Sequence, residues 1–192
     1  MEFVFATHNN HKVAEIKPLI PSSIQVKTLT EIGITEEIPE TADTIEGNAL
    51  LKVRFIYNRL KCNCFADDTG LEVAAINGEP GVYSARYAGE GKSAGDNIEK
   101  LLGKLKQAPN RTAKFRTVIA AIIAGKEYTF EGAVHGLISE VKLGEKGFGY
   151  DPIFVPDGYM ISFAQMTMEE KNRISHRGLA VKKFAQFLSE KY

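Results

Sequence analysis

The stretch from Cys62 to Leu71, Cys-Asn-Cys-Phe-Ala-Asp-Asp-Thr-Gly-Leu, runs from apolar residues into two adjacent carboxylates and a glycine. An apolar strand that ends in acids puts charge at the rim of a sheet, where open α/β folds place their ligands. Carboxylates there hold a cation or take a proton from water. The same Asp-Thr-Gly run also suits a plain chain reversal. Neighbouring strand residues face opposite ways, so Asp67 and Asp68 are expected to point to opposite faces and to take different roles.

Three other stretches carry groups with chemistry. Thr7-His8-Asn9-Asn10-His11-Lys12 precedes a helical pattern of Val13, Ile16, Leu19 and Ile20. Free N–H groups at a helix start, with a lysine beside them, suit a phosphate, and capping by Thr7 or Asn9 is the simpler use. Gly144 to Pro152 packs glycines around Phe148 and Tyr150, which offers planar faces on which a base can stack or an ordinary turn over core aromatics. Near the end, Lys171, Arg173, His176 and Arg177 form the densest basic cluster, at a helix start where cations need an anion or acceptor.

The elements that must position these groups follow from periodicity. Glu2 to Ala6 and Ile24 to Leu29 read as strands, and Pro18 shortens or kinks the helix between them. Glu31 to Asp43 is acidic and irregular. Asp43 and Glu46 have capping-box spacing ahead of a helix carrying Ile45, Ala49, Val53, Ile56 and Leu60, on which Asn48 and Lys52 share one face. Leu71 to Ile76 reads as a further strand, followed by a turn at Asn77-Gly78. Gly89-Glu90-Gly91-Lys92-Ser93 resembles half of a phosphate-binding loop, but Arg86 stands where its first glycine belongs. A helix is expected over about Asp96 to Gln107, then a hairpin of Lys114 to Ala124 and Glu127 to Val134, with Leu137 to Leu143 extending the sheet. Thr167 and Glu170 form a second capping box. Ser175 then caps a final helix that buries Leu179, Phe184, Phe187 and Leu188.

The chain has 192 residues, with 24 Lys plus Arg and 24 Asp plus Glu, so no global field favours nucleic acid or an anionic membrane. Any phosphate affinity must come from a local cluster. Only Cys62 and Cys64 carry thiols, which specifies no disulfide framework and suits reduced cysteines. Residues 1 to 6 do not form a signal sequence, and no apolar run approaches the ~20 residues of a membrane span. The chain reads as one soluble, cytoplasmic domain over residues 1–192.

Thr7-His8-Asn9 with Lys12, Ala66-Asp67-Asp68-Thr69-Gly70, Pro80 to Gly89, Phe148-Gly149-Tyr150-Asp151 and Ser175-His176-Arg177 together resemble the inosine triphosphate pyrophosphatase family. The likeness spans nearly the whole chain, in order. It implies an elongated α/β fold with a long central mixed sheet flanked by helices, two lobes with a cleft between them, a Mg2+ cofactor, a purine nucleoside triphosphate substrate and a homodimer. By that resemblance Thr7, His8, Asn9, Asn10, His11 and Lys12 hold the triphosphate. Asp68 is the proton acceptor and a metal ligand, and Glu40 is the second metal carboxylate. Lys52 contacts phosphate, Thr69 contacts substrate, Phe148, Gly149, Tyr150 and Asp151 form the base pocket, and Lys171, His176 and Arg177 read the base. Two positions depart from the pattern: His8 and Ala42 stand where glycine is common. A septum-formation-inhibitor-like pyrophosphatase and a purine nucleotide regulator without hydrolysis are the alternatives. The tail disfavours the first and the two acids the second.

Overall fold

Apolar residues at strand and helix spacing assemble two cores in this protein. The computed structural model describes residues 1–91 and 93–191. The strand expected first forms as β1, Glu2–Phe5, and is followed by helix α1, Asn10–Ile16, and strand β2, Gln25–Thr28. Pro18 lies in a single 3-10 turn, Lys17–Leu19, so the helical pattern ends early as its fixed geometry requires. Helix α2, Ile45–Leu60, leads into strand β3, Cys64–Val73, and the two-residue strand β4, Pro80–Gly81. Helix α3, Ala94–Lys104, is followed by strands β5, Thr112–Ile123, and β6, Lys126–Ile138. Strand β7, Phe154–Pro156, and helices α4, Met168–Ile174, and α5, His176–Lys191, complete the order.

Among the described residues seven strands form one sheet in the order β2-β1-β3-β5-β6-β7, with β4 also on β3. Pairing of β1 with β2 and β3 is parallel, whereas β3–β4 and β6–β7 are antiparallel, so the sheet is mixed. The chain divides into two compact units. One comprises Met1–Asp68, Thr117–Gly132 and Arg177–Tyr192, and the other Thr69–Arg116 and Ala133–His176.

In the first unit, Phe3, Phe5, Phe65 and Phe184 gather from β1, β3 and α5, with Phe5 stacked on Phe65 at 4.5 Å between centroids. The second half of β5 supplies seven consecutive buried positions, 117–123, as expected of a strand covered on both faces. In the second unit Leu71, Leu101, Phe115, Phe154 and Phe163 form the core, with α3 laying its apolar stripe on it. Both cysteines are free thiols, and burial pushes Cys64 up to about 12.

Several boundaries differ from the sequence expectation. Strand β3 runs unbroken through Asp67, Asp68, Thr69 and Gly70, so no turn follows the acids and 62–76 is not two strands. Ladder pairing of Leu71 with Gly81 and the bond from Leu71 N–H to Ser84 Oγ at 2.9 Å override the local turn preference. Thr44, rather than Asp43, caps α2 by accepting from Gly47 N–H. Sheet pairing stops at Ile138, so 139–143 does not extend β6. Ser175 ends α4 by donating its N–H to the Lys171 carbonyl at 2.8 Å and, in extended conformation, directly precedes α5, the position expected of its cap. Lys92 of the glycine-rich loop lies outside the described residues, and Ser93 caps α3. The Thr167–Glu170 capping box forms as expected, with both reciprocal bonds present. Among the described residues no helix is long and apolar enough to cross a membrane.

Phe184 brings one side of the first core from α5 and contacts Phe3, Phe65 and Phe130. Truncating Phe184→Ala is expected to cost about 3–5 kcal/mol of stability, read as a lowered midpoint in urea unfolding.

Candidate active site

Because β3 continues through its acids, Asp67 and Asp68 leave the strand on opposite faces, and each meets its own cations. Asp67 is 1% exposed. Its carboxylate lies 3.1 Å from Lys12 Nζ on α1 and 3.1 Å from Arg177 Nε in the first turn of α5. Lys12 also donates to the Asp67 carbonyl at 3.3 Å. Arg177, 1% exposed, donates through Nη1 to Glu15 at 2.5 Å, and Glu15 lies three residues beyond Lys12 on the same helix. The chain of contacts therefore returns to α1 and contains two carboxylates and two cations. Burial alone would raise Asp67, but Lys12 and Arg177 hold it well below the usual carboxylate range. Burial opposes the charge on Arg177 as well, and Asp67 with Glu15 keeps it raised. For Lys12 burial prevails over Asp67 and lowers the ammonium below its ordinary value.

On the other face, Lys52 Nζ of α2 lies 2.8 Å from Asp68 Oδ1 and 2.7 Å from Glu40 Oε1. Glu40 comes from the irregular acidic segment, and its side chain is 30% exposed. Burial would lower Lys52, but Asp68 and Glu40 hold it protonated. Burial raises Asp68 above its ordinary value despite Lys52 and Lys12, and the Glu40 carboxylate adds to the rise. A carboxylate with raised pKa is a better proton acceptor near neutral pH.

The loop from Thr7 to Lys12 spends part of its polar capacity on itself. Thr7 Oγ1 accepts from Asn9 N–H at 3.1 Å, and Asn9 Oδ1 caps α1 by accepting from His11 and Lys12 N–H groups. Asn10 and His11 are exposed in the first turn. His8 is exposed, and its Nε2 donates to the Glu36 carbonyl at 3.0 Å.

The second unit organises its own group of expected site residues. Thr69 is half-buried on β3, next to Asp68 in the chain. Asp151, 2% exposed, accepts from Phe148 N–H at 2.8 Å and from Lys171 Nζ at 2.5 Å. Gly147 has a positive φ of 73°, and a Cβ there would fall on the Asp151 carboxylate, so glycine is required on both counts. Lys171 Nζ also sits 5.2 Å from the Phe148 ring centre. Gly149 is half-buried, and the Tyr150 hydroxyl donates to the Ser84 carbonyl at 2.9 Å. His176 stacks on Phe115 with centroids 4.5 Å apart.

The four basic tail residues thus part company. Lys171 and His176 belong to one unit and Arg177 to the other, while Arg173 is exposed and pairs with Glu169. Glu15 escaped the sequence reading, although its spacing from Lys12 within an apolar stripe is the signal that marks it. Among the described residues no group of three or more His, Cys, Asp or Glu side chains is placed to hold a metal ion. Glu40 and Asp68 instead form a two-carboxylate set converging on a single cation.

A model of the Ham1 family matches residues 3–187. The dITP/XTP pyrophosphatase of Flavobacterium johnsoniae is 53% identical over 189 residues, covering 98% of this chain and 98% of that protein. The dITP/XTP pyrophosphatase of Bacillus subtilis is 48% identical over 191 residues, covering 97% and 96%. The solved structure of the Staphylococcus aureus Ham1 protein has a TM-score of 0.91 and 42% identity, with full coverage of both chains. A HAM1 protein from Coxiella burnetii has a TM-score of 0.91 and 35% identity, covering 99% of each chain.

Removing one member of a buried ionic network strands the charges that remain. Asp67→Asn is expected to lose about 3–5 kcal/mol at neutral pH. Since the folded pKa of Asp67 is depressed, its contribution is fully present above the unfolded value of about 3.9 and is lost as pH falls below it. Urea unfolding between pH 7 and 3 should show the two proteins converging towards the acid end.

Proposed function

The chain belongs to the Ham1 family, and from that premise we propose that it is a nucleoside triphosphate pyrophosphatase acting on inosine, deoxyinosine and xanthosine triphosphates. Such noncanonical purine nucleotides would be split to the monophosphate and pyrophosphate by one domain spanning both units. The observation that carries the reading is the sharing of Lys52 by Glu40 and Asp68, with Lys12 on the opposite face of the same strand.

The two carboxylates suit a hard divalent cation, since their oxygens already converge on a cationic centre, the Lys52 ammonium. Mg2+ takes few protein carboxylates and completes its shell with water and phosphate oxygens, so Glu40 and Asp68 suffice to hold it. When bound it would supply positive charge to the phosphate oxygens. Lys12 and Lys52 offset the remaining phosphate charge, and the Thr7–Lys12 loop lies beside the triphosphate. Phosphoryl transfer depends mainly on positioning and charge, with a carboxylate orienting water. Asp68 takes the water proton as the new P–O bond forms. The anhydride bond between the α and β phosphates then breaks, and pyrophosphate leaves.

For the base, Phe148 offers its ring and Thr69 a contact next to Asp68. Gly149, Tyr150 and Asp151 shape the pocket, with Lys171, His176 and Arg177 reading the purine edge. Lys171 and Arg177 are donors only, so they favour a 6-oxo group and leave a donor unpaired against a 6-amino group. Lys171 arrives with a carboxylate partner, Asp151, so a base oxygen would share that donor with it. A homodimer acting on the cytoplasmic nucleotide pool belongs to the same proposal, with light scattering as its measure.

Asp68→Asn is expected to bind nucleotide but release pyrophosphate about 10²–10⁴-fold more slowly. Near wild-type turnover by that variant would remove Asp68 from the chemistry. Across ITP, XTP, GTP and ATP with Mg2+, the 6-oxo purines should outrun ATP by about 5- to 150-fold, given ~1–3 kcal/mol for an unpaired buried donor. Equal rates would detach base reading from the tail residues.

A further inference from the structure

Glu40 reaches Lys52 from a segment with no regular structure, so its position depends on whatever fixes the backbone just after it. Two features in the first turn of α2 meet that segment at Ala42. Asn48 is 1% exposed, and its Oδ1 accepts from Ala42 N–H at 2.9 Å. Gly47 leaves room for the Ala42 methyl. A Cβ on residue 47 would lie 2.7 Å from Ala42 Cβ and 2.9 Å from Thr44 Oγ1, closer than real contacts allow.

We propose that Gly47 and Asn48 are positioning residues that clamp Ala42 against α2 and so hold Glu40 on Lys52 beside Asp68. The inference rests on Glu40 and Asp68 being the carboxylates that hold the cation. Lys52 lies one helical turn beyond Asn48, so the clamp and the shared ammonium ride on the same rigid element. The relation also accounts for alanine at position 42, where the resemblance leads one to expect glycine. Positions 42 and 47 have space for one methyl between them, and in this chain residue 42 carries it.

The test is equilibrium Mn2+ binding in the presence of inorganic pyrophosphate, followed by the EPR signal of free Mn2+ so that no turnover is required. Thermal unfolding is recorded alongside. Gly47→Ala and Asn48→Ala are each expected to bind Mn2+ about tenfold more weakly than wild type, the scale on which outer-sphere partners act. Gly47→Ala should stay folded at the temperature of the binding measurement, with an unfolding midpoint lowered by the same close contacts. Asn48→Asp, which keeps an acceptor for Ala42 N–H, should return towards wild-type binding, and the double variant Ala42→Gly/Gly47→Ala, which removes the 2.7 Å contact but keeps the approach to Thr44 Oγ1, should recover part of the loss. Wild-type Mn2+ binding by Gly47→Ala and Asn48→Ala would overturn the clamp, as would a double variant that fails to recover. A wild-type protein that neither binds Mn2+ with pyrophosphate nor releases pyrophosphate from ITP would instead overturn the underlying reading.

Discussion

Two acids in sequence on one strand must find their cations on opposite sides of the sheet, and the first unit is arranged to supply them. Burying a carboxylate without a partner is prohibitive, so Asp67 requires cations from elements far apart in the chain. Lys12 and Arg177 meet that need, and Glu15 returns the contact to α1, giving four named groups whose charges cancel. On the far side Asp68 and Glu40 converge on Lys52, and those three groups together carry one negative charge. Burial pushes both aspartates up; Lys12 and Arg177 overcome it at Asp67, whereas at Asp68 burial prevails over Lys52 and Glu40 adds to the rise. Adjacent residues of the same type acquire different chemistry from strand geometry alone, one suited to holding the frame and the other to accepting a proton.

Much of this arrangement was legible in the residues. Alternation put Asp67 and Asp68 on opposite faces, periodicity placed α2 under Lys52, and the apolar second half of β5 marked it as a covered strand. Local signals failed where a distant partner decided the outcome. Asp-Thr-Gly is a sound turn signal, yet β4 and Ser84 supply the ladder and side-chain bonds that keep the strand extended through it. Asp43 and Thr44 are both competent helix caps, and nothing short of backbone geometry chooses between them.

The basic tail illustrates a second limit. Lys171, Arg173, His176 and Arg177 read as one patch because they are close in sequence, but side chains around a helix junction diverge. His176 lies flat on Phe115 in one core, and the next residue enters the ion network of the other. Glu15 shows the converse, a residue whose importance rests on a partner 162 positions away. No local pattern encodes such a pairing. The charged residue inside an apolar stripe was the visible trace of it.

The first unit is also discontinuous in the chain, and Arg177 closes it from near its far end. A chain made from its N-terminus gains Lys12 and Asp67 early, while the guanidinium that completes their ion network arrives 110 positions after Asp67. Until then β1, α1 and the start of β3 lack both Arg177 and the Phe184 face of their core. This unit therefore cannot reach its final packing until residues 177 to 188 have been made. Chains broken off before residue 177 retain the two acids without the cation that completes the network around Asp67.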